Sequence, residues 1–290
     1  MDKTIVTTAS PPASHWVGDG FHVRSLFSYQ ANTAVNSPFL MLDYGAPTTF
    51  TPTTQPRGVG PHPHRGIETV TIAYAGEVAH RDSHGGGGTI GPGDVQWMTA
   101  GGGLLHEEFH SPAFSASGGV MHMAQLWVNL PAAQKMTAPA YQAIVAADIP
   151  TWELPERAGQ LRVIGGSYQG FNGPAHTRSP LLVADARLRA GVAWRWDIPE
   201  GWNALLVVMQ GEVRVGEGAH SRTIKDAQHV ACSRAGDGLA VQAQQDSLVL
   251  LLAGEPIDEP VVGYGPFVMN SREEIMQAMK DFNDGKFGHM

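Results

Sequence analysis

A chain of 290 residues, 42% hydrophobic and 16% charged, has the make-up of a packed globular protein large enough for two medium domains. Its formal charge of −8 argues against a nucleic-acid surface, which needs a basic stripe. No apolar run approaches the roughly 18 residues of a membrane span, and the single cysteine, Cys232, excludes an internal disulfide.

In chain order, the opening stretch "MDKTIVTTASPPASHW" lacks a basic region followed by an apolar core, so no secretory signal is expected. With the lone cysteine, this predicts a cytoplasmic protein in a reducing compartment. The 35 glycines and 20 prolines favour short strands joined by turns over long helices. Period-two patterns of branched and aromatic residues predict strands within residues 69–82, 118–130, 160–166 and 204–216. The continuous apolar run "SLVLLLAG" (247–254) reads as a strand covered on both faces. One helix is predicted near the end: Ser271 and Glu274 form a capping box, and Gly285 stops the helix. Ile275, Met276, Met279 and Phe282 form its apolar stripe, read as core. Cys232 is read as a small buried filler.

Two stretches repeat at a constant offset. Gly66, Gly76, Glu77 and Val78 return as Gly201, Gly211, Glu212 and Val213, and Ala100, Gly101, Gly103 and Leu104 return as Ala235, Gly236, Gly238 and Leu239. A one-residue indel separates the two blocks. The repeat predicts an all-β fold of two tandem jelly-roll type β-barrels with a short C-terminal helix. Residues 131–159, rich in Pro and Ala, form the connection, which divides the chain into 1–147 and 148–290.

The chemistry-bearing residues lie in the first copy. In "GPHPHRGIETVT" (60–71), Pro63 enforces an extended backbone and biases His62 the same way, so His62 and His64 share a face. In "GPGDVQWMTAGGGLLHEEFH" (91–110), the second strand places His106 and Glu108 on one face and Glu107 on the other. If a closed barrel turns these faces inward, the two pairs meet. Three imidazoles and a carboxylate suit a divalent first-row metal ion: Fe, Mn, Co, Ni, Cu or Zn. Four protein ligands leave coordination positions open, the pattern of a catalytic or sensing site rather than a closed structural one. At the repeat offset the four positions become Asp197, Pro199, Val241 and Ala243, which cannot chelate together. His15, His22, His80, His84, His176, His220, His229 and His289 are read as ordinary surface or core histidines. His110 shares the parity of His106 but runs into a Ser-Pro turn, and it is left out of the cluster. Trp97 and Met98 are packing or pocket wall.

At these residues the chain resembles the pirin family of the cupin superfamily. The general cupin pattern, two histidines one residue apart followed by a glutamate and a glycine, is matched by His62, His64, Glu68 and Gly76. The pirin resemblance is tighter, running through "VRSL…SPFLMLDY" (23–44), "HPHRGIETVT" (62–71), "PGDVQWMTAGGGLLHEE" (92–108), "QLWVNLP" (125–131) and "AGEP…GPFVMN" (253–270). It implies a bicupin with one ion, Fe(II) in most members, in the N-terminal cupin, and a C-terminal cupin without ligands. It assigns His62, His64, His106 and Glu108 as ligands, where the general cupin pattern would choose Glu68. Strand parity leaves both carboxylates open. Gly66 permits a bulge that turns Glu68 aside, so Glu108 is taken as the ligand and Glu68 as a supporting group. His122 and Gln125 on "MHMAQLW" are candidates to line the pocket or orient a ligand.

The resemblance further implies a quercetin 2,3-dioxygenase-like oxidoreductase acting on a flavonol or similar aromatic enol with O2. Glu108 would serve as the general base. The alternative it carries is a metal-containing, redox-sensing regulatory protein that binds a transcription factor or metabolic enzyme. The expected partners are accordingly the small-molecule substrate, O2 and a protein partner, with no direct nucleic-acid contact and no membrane, and the chain is expected to be a monomer.

Overall fold

A computed structural model describes residues 1–31 and 33–290. The chain forms two compact units. The first holds Ala13–Ala31, Phe39–Ala146 and Asp258–Met290; the second holds Met1–Pro12, a short segment ending at Pro38, and Ala147–Ile257. This differs from a simple division at 147 and 148, because each chain end belongs with the other half of the sequence. Two anchors explain the exchange. Lys3 is buried in the second unit, where its Nζ donates to the carbonyls of Trp202 (2.9 Å), Ser233 (3.2 Å) and Arg234 (2.9 Å). In the first unit the buried Arg65 guanidinium pairs with Asp281 at 2.9 Å and lies 4.7 Å from the centre of the Phe287 ring.

Each unit is a jelly roll of two antiparallel sheets, one of seven strands and one of four. In the first unit the large sheet runs Ala140–Ile144, Val95–Thr99, Ile67–Ala75, Gly119–Asn129, Phe39–Phe50, Phe21–Phe27, His15–Val17. The small sheet runs Gly58–His64, Leu104–His110, Val78–Asp82, Gly87–Ile90. In the second unit the small sheet runs Ala193–Asp197, Gly238–Ala243, Glu212–Val215, Arg222–Lys225. The expected closure into barrels is not what forms: among the described residues no strand of a small sheet pairs with one of a large sheet. The open edges are managed instead by short terminal strands such as His15–Val17 and Thr151–Glu153. The run Ser247–Gly254 is buried at every residue, as a strand flanked by Asn203–Gln210 and Leu181–Leu188 requires.

The pairing registers redraw the repeat. In the first unit His106 stands opposite His62, and Leu104 opposite His64. In the second, Val241 stands opposite Trp194, and Leu239 opposite Trp196. The counterparts of the two histidines are therefore Trp194 and Trp196, rather than the Asp197 and Pro199 that a constant offset selects. Val241 and Ala243 keep their correspondence to His106 and Glu108. The next strand repeats the pattern: His80 faces Glu108 and Asp82 faces His106, whereas Val213 faces Ala243 and Val215 faces Val241. Trp194, Trp196, Val213, Val215, Leu239, Val241 and Ala243 all lie in one buried apolar cluster. The second unit fills with indole and aliphatic groups the space that the first fills with titratable ones.

The terminal helix, Arg272–Asn283, has its capping box: Ser271 Oγ accepts from the Glu274 amide, and Glu274 Oε2 accepts from the Ser271 amide at 3.0 Å. Its inward face is Ile275, Ala278 and Asp281, while Met276 is 69% exposed and Met279 and Phe282 also reach solvent. The apolar stripe read from sequence thus points largely outward. The helix is rotated so that Asp281 meets the buried Arg65, because an unpaired buried guanidinium costs more than a few exposed methylenes.

His229, on Gln228–Cys232, is buried in the second unit, and burial pushes its pKa down to about 4. The unfolded chain takes up this proton near pH 6.5 and the folded one only near 4, so stability is complete above 6.5 and falls as the pH drops toward 4. We expect His229→Gln to unfold with a shallower acid dependence than the wild type across this window, by up to about 1.4 kcal/mol per pH unit. Urea midpoints measured at several pH values check this; parallel curves would contradict it.

Candidate metal centre

The strand Gly58–His64 contains Pro61 and Pro63, which hold it extended but remove two amide donors. It ends in a turn built on Gly66, whose φ is +80°; a Cβ there would lie 2.1 Å from the Val268 carbonyl oxygen, so only glycine fits. Lys135 Nζ donates to the Gly66 carbonyl at 2.9 Å and fixes the turn from below. Its neighbour Leu104–His110 pairs His106 with His62, then slips register so that Glu108 faces Val59. This bulge lets the His62 ring fold back so that Nδ1 donates to the Gly60 carbonyl at 2.9 Å. The two histidine-bearing segments thus meet as neighbouring strands of one sheet, with no barrel closure needed.

His62, His64 and His106 converge. Each offers a ring nitrogen, and these nitrogens lie within 4.8 Å of one another, the one such group of three titratable side chains among the described residues. Ring centroids are 4.2 Å apart for His62 and His106, 4.8 Å for His64 and His106, and 5.1 Å for His62 and His64. His64 and His106 are buried, and Trp127 stands edge-on to His64 at 5.0 Å. Burial, reinforced by neighbouring His62, pushes the His64 pKa down to about 3 against a small opposing effect of the Pro266 backbone. Burial, then proximity to His64 and His62, holds His106 well below the usual imidazole value. Both are therefore neutral at physiological pH, the protonation state in which imidazole is a ligand.

His106 carries the test of whether an ion fits. Its Nδ1 is 2.9 Å from His80 Nε2, while its Nε2, buried, finds no hydrogen-bond partner among the described residues. A buried unpaired nitrogen costs about 1–3 kcal/mol unless something occupies its lone pair. Here that nitrogen belongs to a ring packed against two further imidazoles, a donor set that suits a divalent first-row ion.

Glu108 is buried but stands outside the close group of three. Gln125 Nε2 donates to its Oε2 at 2.8 Å, and Thr71 Oγ1 donates to its Oε1 at 3.3 Å. Gln125 and Thr71 belong to a polar row that crosses the large sheet through paired residues: Ser25, Asp43, Gln125, Thr71 and Gln96. Cross-strand partners share a face, so the whole row faces the strand of Glu108. A cavity of about 20 Å³, room for one water, lies between Glu108, Gln125 and Asp43 against Phe21, Val23 and Met123. Burial raises the Asp43 pKa, which the Ser25 hydrogen bond partly offsets.

The other two candidates lie elsewhere. Glu68 is three residues from Thr71 on Ile67–Ala75 and so projects from the opposite face of the large sheet, where it accepts from Thr99 Oγ1 at 2.8 Å. His122 is on that face too, between the rings of Tyr44 (5.7 Å) and Tyr74 (4.9 Å). Trp97 is fully buried on the same opposite face, while Met98 packs with Trp127 in the core beside His64. The residue that sequence reasoning missed is His80, set among the ordinary histidines. Its signal was its place on the hairpin strand next to "LHEE", visible only once the pairing register is known.

Comparison with known proteins places the chain among relatives. Residues 20–128 match the Pirin family, and residues 183–288 match the Pirin C-terminal cupin domain. A Pseudomonas aeruginosa protein provisionally named quercetin 2,3-dioxygenase is 55% identical over 94% of both chains. Human Pirin is 40% identical over 81% of this chain and 79% of its own. The crystal structure of a quercetin 2,3-dioxygenase from Acinetobacter baumannii superposes with a TM-score of 0.96 at 52% identity, covering 99% of each chain.

Proposed function

The chain belongs to the pirin family of cupin proteins, and on that premise we propose that it is a metal-dependent dioxygenase of the quercetin 2,3-dioxygenase type. Its substrate is then a flavonol or similar aromatic enol, whose ring is opened with O2 and carbon monoxide released. The observation that carries this reading is the convergence of three imidazoles, among which the buried His106 Nε2 finds no hydrogen-bond partner among the described residues. The names of the two bacterial relatives support the reaction type.

In this reading His62, His64, His106 and Glu108 hold one ion, Fe(II) first among the divalent candidates. A bound divalent ion supplies Lewis acidity, which lowers the pKa of a coordinating enol hydroxyl into the neutral range. Glu108 accepts the hydroxyl proton. Gln125 and Thr71 fix the plane of its carboxylate, so that one geometry rather than many is offered to the substrate. Trp127, Met98 and Leu104, buried beside His64, exclude water from that side. Among the described residues no helix is long and apolar enough to cross a membrane.

The test is anaerobic purification with elemental analysis, followed by reconstitution with iron, manganese, cobalt, nickel and copper, each form assayed for quercetin loss and carbon monoxide. We expect at least one form to release carbon monoxide in step with quercetin loss. Full occupancy with no turnover by any form would overturn the enzymatic reading and favour a metal-containing redox sensor that binds a transcription factor or metabolic enzyme.

A further inference from the structure

We propose that His80 is a positioning residue of the metal centre: it fixes the tautomer and ring plane of His106 so that His106 Nε2 is presented to the ion. The inference rests on the metal-binding reading of the three histidines and assigns the group that makes one of them competent.

Leu104–His110 is the middle strand of three, with Gly58–His64 on one side and Val78–Asp82 on the other. His62 and His64 thus reach His106 from one side, and His80 reaches it from the other. Between His80 Nε2 and His106 Nδ1, 2.9 Å apart, one nitrogen must donate and the other accept. If His80 donates, the proton of neutral His106 sits on Nε2, and that nitrogen has no lone pair to offer. If His106 donates from Nδ1, Nε2 keeps a lone pair free for an ion. Ligation therefore demands that His80 Nε2 accept, with the proton of His80 on its own Nδ1.

Two further observations separate this from simple packing. The His80 ring lies parallel to that of Tyr141, 5.1 Å between centroids and 8° between planes, so the acceptor direction is held by a face-on contact from the large sheet. In the second unit, where His106 and Glu108 give way to Val241 and Ala243, the position of His80 is taken by Val213. The fold needs only an aliphatic group there, and imidazole appears where there is a histidine ligand to orient.

The test uses cobalt(II) binding to the full-length apoprotein, measured by competition with a chromogenic chelator, with the visible cobalt absorption as a second readout. His80→Phe keeps the ring but removes the acceptor, and we expect it to weaken cobalt binding about 10–100-fold and shift the absorption band. The apoprotein melting temperature should hold. His80→Gln, whose amide oxygen can accept from His106 Nδ1, should recover most of the lost affinity. Wild-type affinity and spectrum in His80→Phe would overturn the proposal while leaving the metal site intact. A wild-type protein that binds no cobalt would overturn the metal reading itself. Should His80→Phe fail to fold, the tautomer is read directly in the wild-type apoprotein by long-range 1H–15N NMR of the ring nitrogens. A proton on Nδ1 of His106 supports the proposal, and a proton on Nε2 overturns it.

Discussion

His106→Ala abolishes stoichiometric metal binding and, with it, turnover. This is the largest effect expected of any single substitution, because His106 is the hub of the centre: its ring lies 4.2 Å from that of His62 and 4.8 Å from that of His64. Its buried Nε2 also finds no hydrogen-bond partner among the described residues. Removing it leaves two imidazoles and a carboxylate that accepts from Gln125 and Thr71. The loss in affinity should exceed the roughly 10–100-fold typical of removing a group that only touches a ligand. Gel filtration of the variant loaded with one equivalent of ion, followed by elemental analysis, checks it. A variant that elutes with a full equivalent would show that the three histidines do not form the site. The apoprotein of this variant should still fold, since the lost ring is one buried side chain in a sheet whose neighbours remain paired.

Trp196→Ala should have the largest effect on stability and none on metal affinity. Trp196 is wholly inaccessible and lies in the apolar cluster that occupies the second unit. It stands where the first unit carries His64. Deleting a buried indole from a close-packed core costs about 3–5 kcal/mol through lost burial and the cavity left behind. Scanning calorimetry should show a large fall in melting temperature, while cobalt affinity at a temperature where the variant is folded stays at the wild-type value. A stability change below about 1 kcal/mol would mean that the second unit repacks freely, against the close packing expected of a folded core. The pair of substitutions separates the two halves of the repeat: one is read in ion affinity, the other in stability.

Much of this was legible in the residues because the signals were local. "HPHRGIE" carries its own conformation, since Pro63 enforces extension and alternate histidines then share a face. The buried run "SLVLLLAG" and the Ser271–Glu274 capping box are likewise determined by a few adjacent residues. What was not legible depended on partners distant in sequence. The helix stripe of Met276, Met279 and Phe282 turned outward because Asp281 answers a buried Arg65. The repeat slid because glycines at turns align well while the strands between them shift, so that "WRW" rather than Asp197 and Pro199 replaces "HPH". Glu68 and His122 left the site for the same reason that Gln125 entered it: the face a side chain takes is settled by turns and bulges, at Gly66 and at His122–Met123. His80 became visible only through the strand it pairs with.

Anomalous diffraction at the metal edge from crystals of the reconstituted protein locates the ion. A single peak per chain is expected, within coordination distance of ring nitrogens of His62, His64 and His106, with Nε2 the atom used by His106 and an oxygen of Glu108 completing the set. A peak beside Trp194 and Val241, or none near the three histidines in protein that carries a full equivalent of metal, would contradict it.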